Sequence, residues 1–308
     1  MTAPSPIRLL HGATVTVADL LALRGVPLPL QRSRRRSSGP HGGNRMSRHR
    51  GRGVDFAEVR LYQPGDDVRT IDWRVTARKA KPHTKVYREE RERPTLLVVD
   101  QCHSMLFGSR IRLKSVAAAE CAALLAWHAL DNGDRVGGVI FDDASEHAFK
   151  PYRNARAVVR FLSQLQRSNA ALAATSTKRP AGSLRRLFEH LIQVAGNGYR
   201  IYLISDFSLF DSDCELELKR LARHNSVVAL RICDPLEREL PPPDTYAVTD
   251  GVTRRTLSTG DELARARYRG DFDAFTQRLI AACTAARTAF VSLETDEAPA
   301  TRLAELVR

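Results

Sequence analysis

Residues Thr95–Asp100 read Thr-Leu-Leu-Val-Val-Asp, an unbroken apolar run closed by an acid. A strand with one wet face alternates apolar and polar side chains. A continuous run instead marks a strand covered on both faces, the situation in a parallel sheet layered between helices. Arg200–Ser205 (Arg-Ile-Tyr-Leu-Ile-Ser) repeats the pattern and is followed by Asp206. Val136–Phe141 and Val227–Ile232 read as further strands. Helical segments fall between them at Arg110–Leu130, Asn154–Gln166, Leu184–Val194 and Asp213–His224. Pro241-Pro242-Pro243 marks a loop, and Tyr246–Leu257 a hairpin. Thr259 and Glu262 have the spacing of a capping box ahead of a helical stretch to Arg287. Ala289–Leu293 is a last strand and Ala300–Val307 a terminal helix. Such alternation across residues 95–308 predicts an α/β fold, a doubly wound, mostly parallel sheet.

The preceding residues differ in kind. Residues 1–50 carry nine basic side chains against one acid, a large share of the chain's formal charge of +13. Gln31–Arg52 is rich in Arg, Ser, Gly and His and has no acid, so it has little apolar surface to offset the entropy of ordering. Residues 1–50 are therefore read as a basic, largely disordered arm, with a short docked helix near Ala18–Leu23. Residues 51–94 read as a small β-rich lobe: Val54–Tyr62, a turn at Gln63-Pro64-Gly65-Asp66, alternation through Val68, Ile71, Trp73 and Val75, then Thr84–Tyr87. Within it, Asp66 or Asp67 is expected to bond turn amides, Arg69 or Arg74 to pair with a carboxylate and Trp73 to anchor a core, the competing reading being a contact surface for a partner. The α/β domain occupies 95–308.

Several function classes find no support. Uncharged runs such as Cys121–Leu130 reach only about ten residues, short of the roughly 18 of a membrane span. Leu9–Leu23 is interrupted by Asp19 and lacks the pattern of a secretory signal. The five cysteines are scattered and form no Cys-x-x-Cys, which points to a reducing cytoplasm. No Gly-x-x-x-x-Gly-Lys-[Ser/Thr], Gly-x-Ser-x-Gly or His-Glu-x-x-His occurs. ATP hydrolysis, serine hydrolysis and zinc proteolysis are accordingly not expected.

In open α/β sheets ligands bind beyond the carboxyl ends of the strands. Asp100 and Asp206 stand at two such ends, followed by Gln101-Cys102-His103-Ser104 and by Phe207-Ser208. Carboxylates and hydroxyls converging there are hard oxygen donors suited to a divalent cation. An aspartate at a strand end can equally serve only to cap the following turn.

Arg50-Gly51-Arg52-Gly53-Val54-Asp55-Phe56, Val59-Arg60-Leu61-Tyr62-Gln63-Pro64-Gly65-Asp66-Asp67-Val68-Arg69 and Ile71-Asp72-Trp73-Arg74 closely resemble the signature of the domain of unknown function 58 family. These are bacterial proteins with a von Willebrand factor A-like domain. The resemblance implies a metal-ion-dependent adhesion site of the form Asp-x-Ser-x-Ser, a distal Thr and a second Asp. Asp100 matches the first Asp, Ser104 the last Ser and Asp206 the second Asp. Ser183 is the best candidate for the distal position, ahead of Thr177. Cys102 stands where the middle Ser belongs, and a neutral thiol is a poor ligand for a hard cation, so the site is degenerate and any Mg²⁺ is weakly held.

The resemblance further implies a non-enzymatic protein-interaction module. Its partner would be a MoxR-type AAA+ ATPase, acting with it in chaperone-like maturation or remodelling of an unknown client protein. Two other readings compete. Asp100 and Asp206 could hold Mg²⁺ in a hydrolase or nuclease, although such sites usually gather more acids. The arm could bind an anionic surface, including peripheral contact with a membrane. Nucleic acid is disfavoured because no aromatic lies between Gln31 and Arg52 to stack on bases.

Overall fold

In a computed structural model of the chain, residues 9–28, 54–64, 66–89, 94–172, 182–249 and 253–304 are described. The basic run Gln31–Arg52 and Thr177 lie outside them. The chain forms two units, one from Arg34 to Glu92 and one from Met1–Ser33 together with Arg93–Arg308. Helix α1 (Val17–Ala22) belongs to the larger unit.

In the smaller unit, β1 (Val54–Leu61) pairs antiparallel with the strand His83–Glu89, with a register shift between Phe56 and Glu58. The alternation expected through Val68–Val75 does not become a strand. A 3-10 turn covers Val68–Thr70 and α2 spans Trp73–Lys79. The cause is capping. Asp67 accepts the Arg69 amide, Asp72 accepts the amides of Arg74 and Val75, and Ala80 ends the helix in the left-handed region at φ 51°. Side chains that satisfy helix-start amides outweigh a short run of alternating residues. Asp66 binds the Gln63 amide and the Arg60 guanidinium, closing the turn as expected. Trp73 is not a core anchor: it is 70% exposed. The strand His83–Glu89 is β2.

The larger unit is built on a six-stranded sheet. Its strands are β3 (Thr95–Asp100), β4 (Val136–Phe141), β5 (Glu146–Tyr152), β6 (Arg200–Ser205), β7 (Ser226–Cys233) and a last strand, Ala289–Glu294. The spatial order is last strand-β7-β6-β3-β4-β5. All pairs are parallel except β4 with β5. The antiparallel edge strand β5 carried no clear sequence signal. It is half exposed, and Lys150 and Pro151 break its apolar character, features that also keep an edge from pairing with another chain.

Helices α3 (Lys114–Asp131) and α4 (Ala155–Ala171) share one apolar cluster, whereas α5 (Ser183–Val194) and α6 (Ser212–Ala222) belong to a second cluster. The inner strands β3, β4, β6 and β7 contribute alternate residues to the two clusters, as Leu97 and Val99 of β3 join one and Leu96 and Val98 the other. That is the physical meaning of the continuous apolar run. A Cβ on Gly138 of β4 would lie 2.4 Å from the Phe161 ring of α4, so only glycine admits this helix at its observed distance. After β7 come a four-residue helix α7 (Pro235–Arg238), the hairpin β8 (Thr245–Thr249) and β9 (Arg254–Ser258), and helix α8 (Glu262–Ala285). Asp261, not Thr259, caps α8. Thr259 is buried and bonds Asp244 and the Pro242 carbonyl. The last strand, β10, leads to α9 (Pro299–Leu303).

Helix α3 is buried almost all round, and its alanines let neighbours approach closely. Part of the cover comes from the N-terminal segment. Val15, Leu20, Leu23 and Leu28 join its cluster, and the Trp127 indole donates to the Leu20 carbonyl at 3.0 Å. Helix α1 thus lies near the expected position, and residues 9–28 belong to the α/β unit. Arg112, just ahead of α3, is buried and pairs with buried Glu120. It also donates to the carbonyls of Thr295 at 2.9 Å and Glu297 at 2.6 Å, while Glu120 accepts the Leu10 amide. The Arg112–Glu120 pair therefore joins α3 to both ends of the described chain, the guanidinium reaching Thr295 and Glu297 and the carboxylate reaching Leu10. Glu120→Ala strands a buried cation, and equilibrium urea unfolding should show a loss of about 3–5 kcal/mol.

Candidate functional site at the strand carboxyl ends

The sheet order reverses between β3 and β6. From β3 the chain moves outward to β4 and β5, then returns to β6 on the other side. This switch point leaves a crevice at the carboxyl ends of the two strands. Val99 pairs in register with Ile204, which sets Asp100 and Asp206 at the mouth of the same crevice. They line a cavity of about 10 Å³ with Cys102, Ser104, Phe141, Leu184, Ser205, Ser208 and Leu209. That is room for about one water.

Both carboxylates are nearly buried, 5% and 6% exposed. Asp100 accepts the Cys102 amide at 2.8 Å and the Ser205 hydroxyl at 2.5 Å. Asp206 accepts the Ser208 amide at 2.9 Å through Oδ1 and the Lys114 ammonium at 2.8 Å through Oδ2. Phe207, between them, sits at φ 59°, a costly conformation for a bulky residue. Its amide bonds the Ser205 hydroxyl, and its ring is buried beside Phe210. The turn after β6 is thus held so that the Asp206 carboxylate and the Ser208 amide meet. The loop after β3 is tied down separately by the His103 amide, which donates to Asp143 at 2.5 Å.

Lys114 is the first residue of α3 and is 2% exposed. Both circumstances disfavour it, since burial removes its hydration and the helix N-terminus carries partial positive charge. Two carboxylates compensate: Asp206, and Glu237 of α7 at 2.6 Å. Glu237 is fixed in turn by a capping box. Its other oxygen accepts the Asp234 amide, and Asp234 accepts the amides of Leu236 and Ser109 and the Thr295 hydroxyl. Burial raises the Asp100 carboxyl to about 6, the nearby Asp206 charge adding to the effect, while the Ser205 hydroxyl and the Cys102 amide partly offset it. Burial also pushes Asp206 up, but the attraction of Lys114 prevails and lowers it.

Of the positions assigned from sequence, the structure gathers Asp100, Cys102, Ser104 and Asp206 around one cavity. Cys102 is buried in the apolar cluster that includes Phe141, Leu184 and Phe207. Ser183 is buried at the start of α5, where its hydroxyl accepts from Arg186 at 3.2 Å; its neighbour Leu184, rather than Ser183, lines the cavity. Among the described residues no group of three or more His, Cys, Asp or Glu is placed to hold a metal. The donor set does not suit Mg²⁺, which requires six oxygens in tight octahedral geometry. All four oxygens of Asp100 and Asp206 already accept bonds from protein donors, and the middle ligand position presents a thiol. Lys114, Ser205 and Glu237 escaped the sequence reading as members of the site. Two of them left signals: a lysine opening an Ala-rich apolar helix, and the capping box Asp234-Pro235-Leu236-Glu237.

An open, mostly parallel sheet with its acids gathered at a switch point defines a doubly wound α/β protein. The chain matches the family described as "Protein of unknown function DUF58" over residues 58–278, and it belongs to that family. The uncharacterized protein Rv1480 of Mycobacterium tuberculosis is 33% identical over 269 residues, covering 84% of this chain and 79% of the relative. Among solved structures, the conserved hypothetical protein BatB from Bacteroides thetaiotaomicron is similar at 12% identity and a TM-score of 0.42, over 69% of this chain and 96% of that one. The SpRpn10 VWA domain is similar at 14% identity and a TM-score of 0.34, over 70% and 93%.

The raised Asp100 carboxyl has a consequence for pH. An unfolded aspartate titrates near 3.9, below the folded value of about 6. Between these values the folded state binds the extra proton, so this group's contribution to stability falls as pH rises. The stability of Asp100→Asn relative to wild type should therefore increase from pH 4 to pH 6 and level off above, read by urea unfolding at each pH. A flat difference would place the Asp100 titration elsewhere.

Proposed function

We propose that this chain is a protein-interaction module that works with a MoxR-type AAA+ ATPase in the maturation or remodelling of other proteins, and that it is not itself an enzyme. The observation that carries this reading is the internal saturation of the strand-end acids. Asp100 is bonded by Ser205 and Cys102, and Asp206 by Lys114 and Ser208. A general base or a nucleophile-activating carboxylate needs an oxygen free to take a proton from substrate or water. Here the carboxylates fix the two loops instead, leaving Ser104, Ser208 and Leu209 exposed at the rim. A rigid rim over a small cavity suits contact with a protein surface. Membership of the DUF58 family supports the partnership through the resemblance set out above.

The reading places the protein in the cytoplasm. Five buried, unbridged thiols fit a reducing compartment. Among the described residues no helix is long and apolar enough to cross a membrane.

Co-purification of the full chain with a MoxR-type ATPase from the same organism tests the partnership. The pair should associate, Ser208→Arg should weaken association at least tenfold, and the chain alone should release no phosphate from ATP. Association unaffected by Ser208→Arg would move the contact away from the strand ends. Absence of association would end the partnership.

A further inference from the structure

We propose that Lys114 is the built-in cation of the strand-end site: its ammonium supplies the positive charge that a divalent metal would bring, and the folded protein takes up no metal there. The inference deepens the interaction-module reading, and its final consequence, recognition of a partner without a metal bridge, rests on that reading.

Three observations converge on it. First, the lysine occupies a place that neither burial nor the helix dipole favours. It is 2% exposed and opens α3 without a side-chain cap at Leu113. Such a placement persists only where the charge itself is required or fully matched. Second, the match is specific. Nζ reaches Asp206 Oδ2 at 2.8 Å and Glu237 Oε1 at 2.6 Å, acids that lie 92 and 123 residues further along the chain. Neither acid is spare. Asp206 holds the Ser208 amide and Glu237 holds the Asp234 amide, so the ammonium ties the turn after β6 to the turn after β7. Third, a divalent ion would have to take oxygens from these bonds and sit near an existing positive charge. Its compensation would be a donor set with a thiol at Cys102, ill matched to a hard cation.

The arrangement also explains how two nearly buried aspartates coexist at one crevice. Without a cation, two such carboxylates repel and one is driven to hold a proton. Lys114 keeps Asp206 charged, while the Ser205 hydroxyl and the Cys102 amide support the Asp100 carboxylate against its burial.

The test uses the full chain, with Mn²⁺ binding followed by electron paramagnetic resonance and thermal unfolding measured with and without 5 mM MgCl₂ at matched ionic strength. Wild type should bind no Mn²⁺ at this site at millimolar concentration and show no Mg²⁺-dependent rise in Tm. Lys114→Met frees Asp206 and Glu237 and should gain Mn²⁺ binding and a Mg²⁺-dependent rise in Tm, both lost in Lys114→Met/Asp206→Asn. Lys114→Arg should stay metal-free. Millimolar or tighter binding by wild type that disappears in Asp206→Asn overturns the proposal, as does a folded Lys114→Met that binds no metal. Should Lys114→Met not fold, the comparison of wild type with Asp206→Asn decides alone. The titration involves no partner, so loss of the ATPase association would leave its outcome untouched.

Discussion

Two buried cations at the entrance to one helix organise the larger unit. Arg112 and Lys114 precede and open α3, and both are about 2% exposed. A desolvated cation is tolerated only with anionic or carbonyl partners around it. Arg112 gathers Glu120 and the carbonyls of Thr295 and Glu297. Lys114 gathers Asp206 and Glu237. These partners come from α3 itself, the ends of β6 and β7 and the segment after β10. The sheet's carboxyl edge is thereby held by charge-assisted bonds as well as by packing. The N-terminal segment completes the arrangement, since the Leu10 amide reaches Glu120 and Leu20 closes over α3.

This has a consequence for the crevice. Sites at a switch point are often lined by groups left open for a ligand. Here the acids are used to fix loops, and Phe207 is held at positive φ to bring the Asp206 carboxylate and the Ser208 amide together. The strain is offset by burial of its ring against Phe210. The product is a firm rim with exposed serines above a cavity the size of a water molecule. The charge beneath this rim is balanced from within the chain.

Much of the architecture was legible because it is written in local patterns. Val136–Phe141 and Arg200–Ser205 appear at the same bounds in the structure, and the helix read from Asn154 is α4, which runs from Ala155 to Ala171. The failures share a cause. Val68–Val75 alternates like a strand, yet Asp67 and Asp72 cap helical turns. Thr259 matches a capping box, yet tertiary bonds to Pro242 and Asp244 claim its hydroxyl. The edge strand β5 is defined by its pairing with β4, and its own residues carry little signal. In each case a specific hydrogen bond outweighed the pattern: a local side-chain cap in the first, a tertiary bond or strand pairing in the others.

The sequence by itself determined the doubly wound sheet and the positions of Asp100, Cys102, Ser104 and Asp206, because burial on both faces and the acid after each strand are local facts. Only the tertiary structure decided what those acids do. Lys114 reaches residues 92 and 123 positions away, and Ser205 reaches Asp100 across 105. No spacing rule connects such residues. Their meeting depends on the order of strands in the sheet, and that order converts an apparent metal site into one whose cation belongs to the chain.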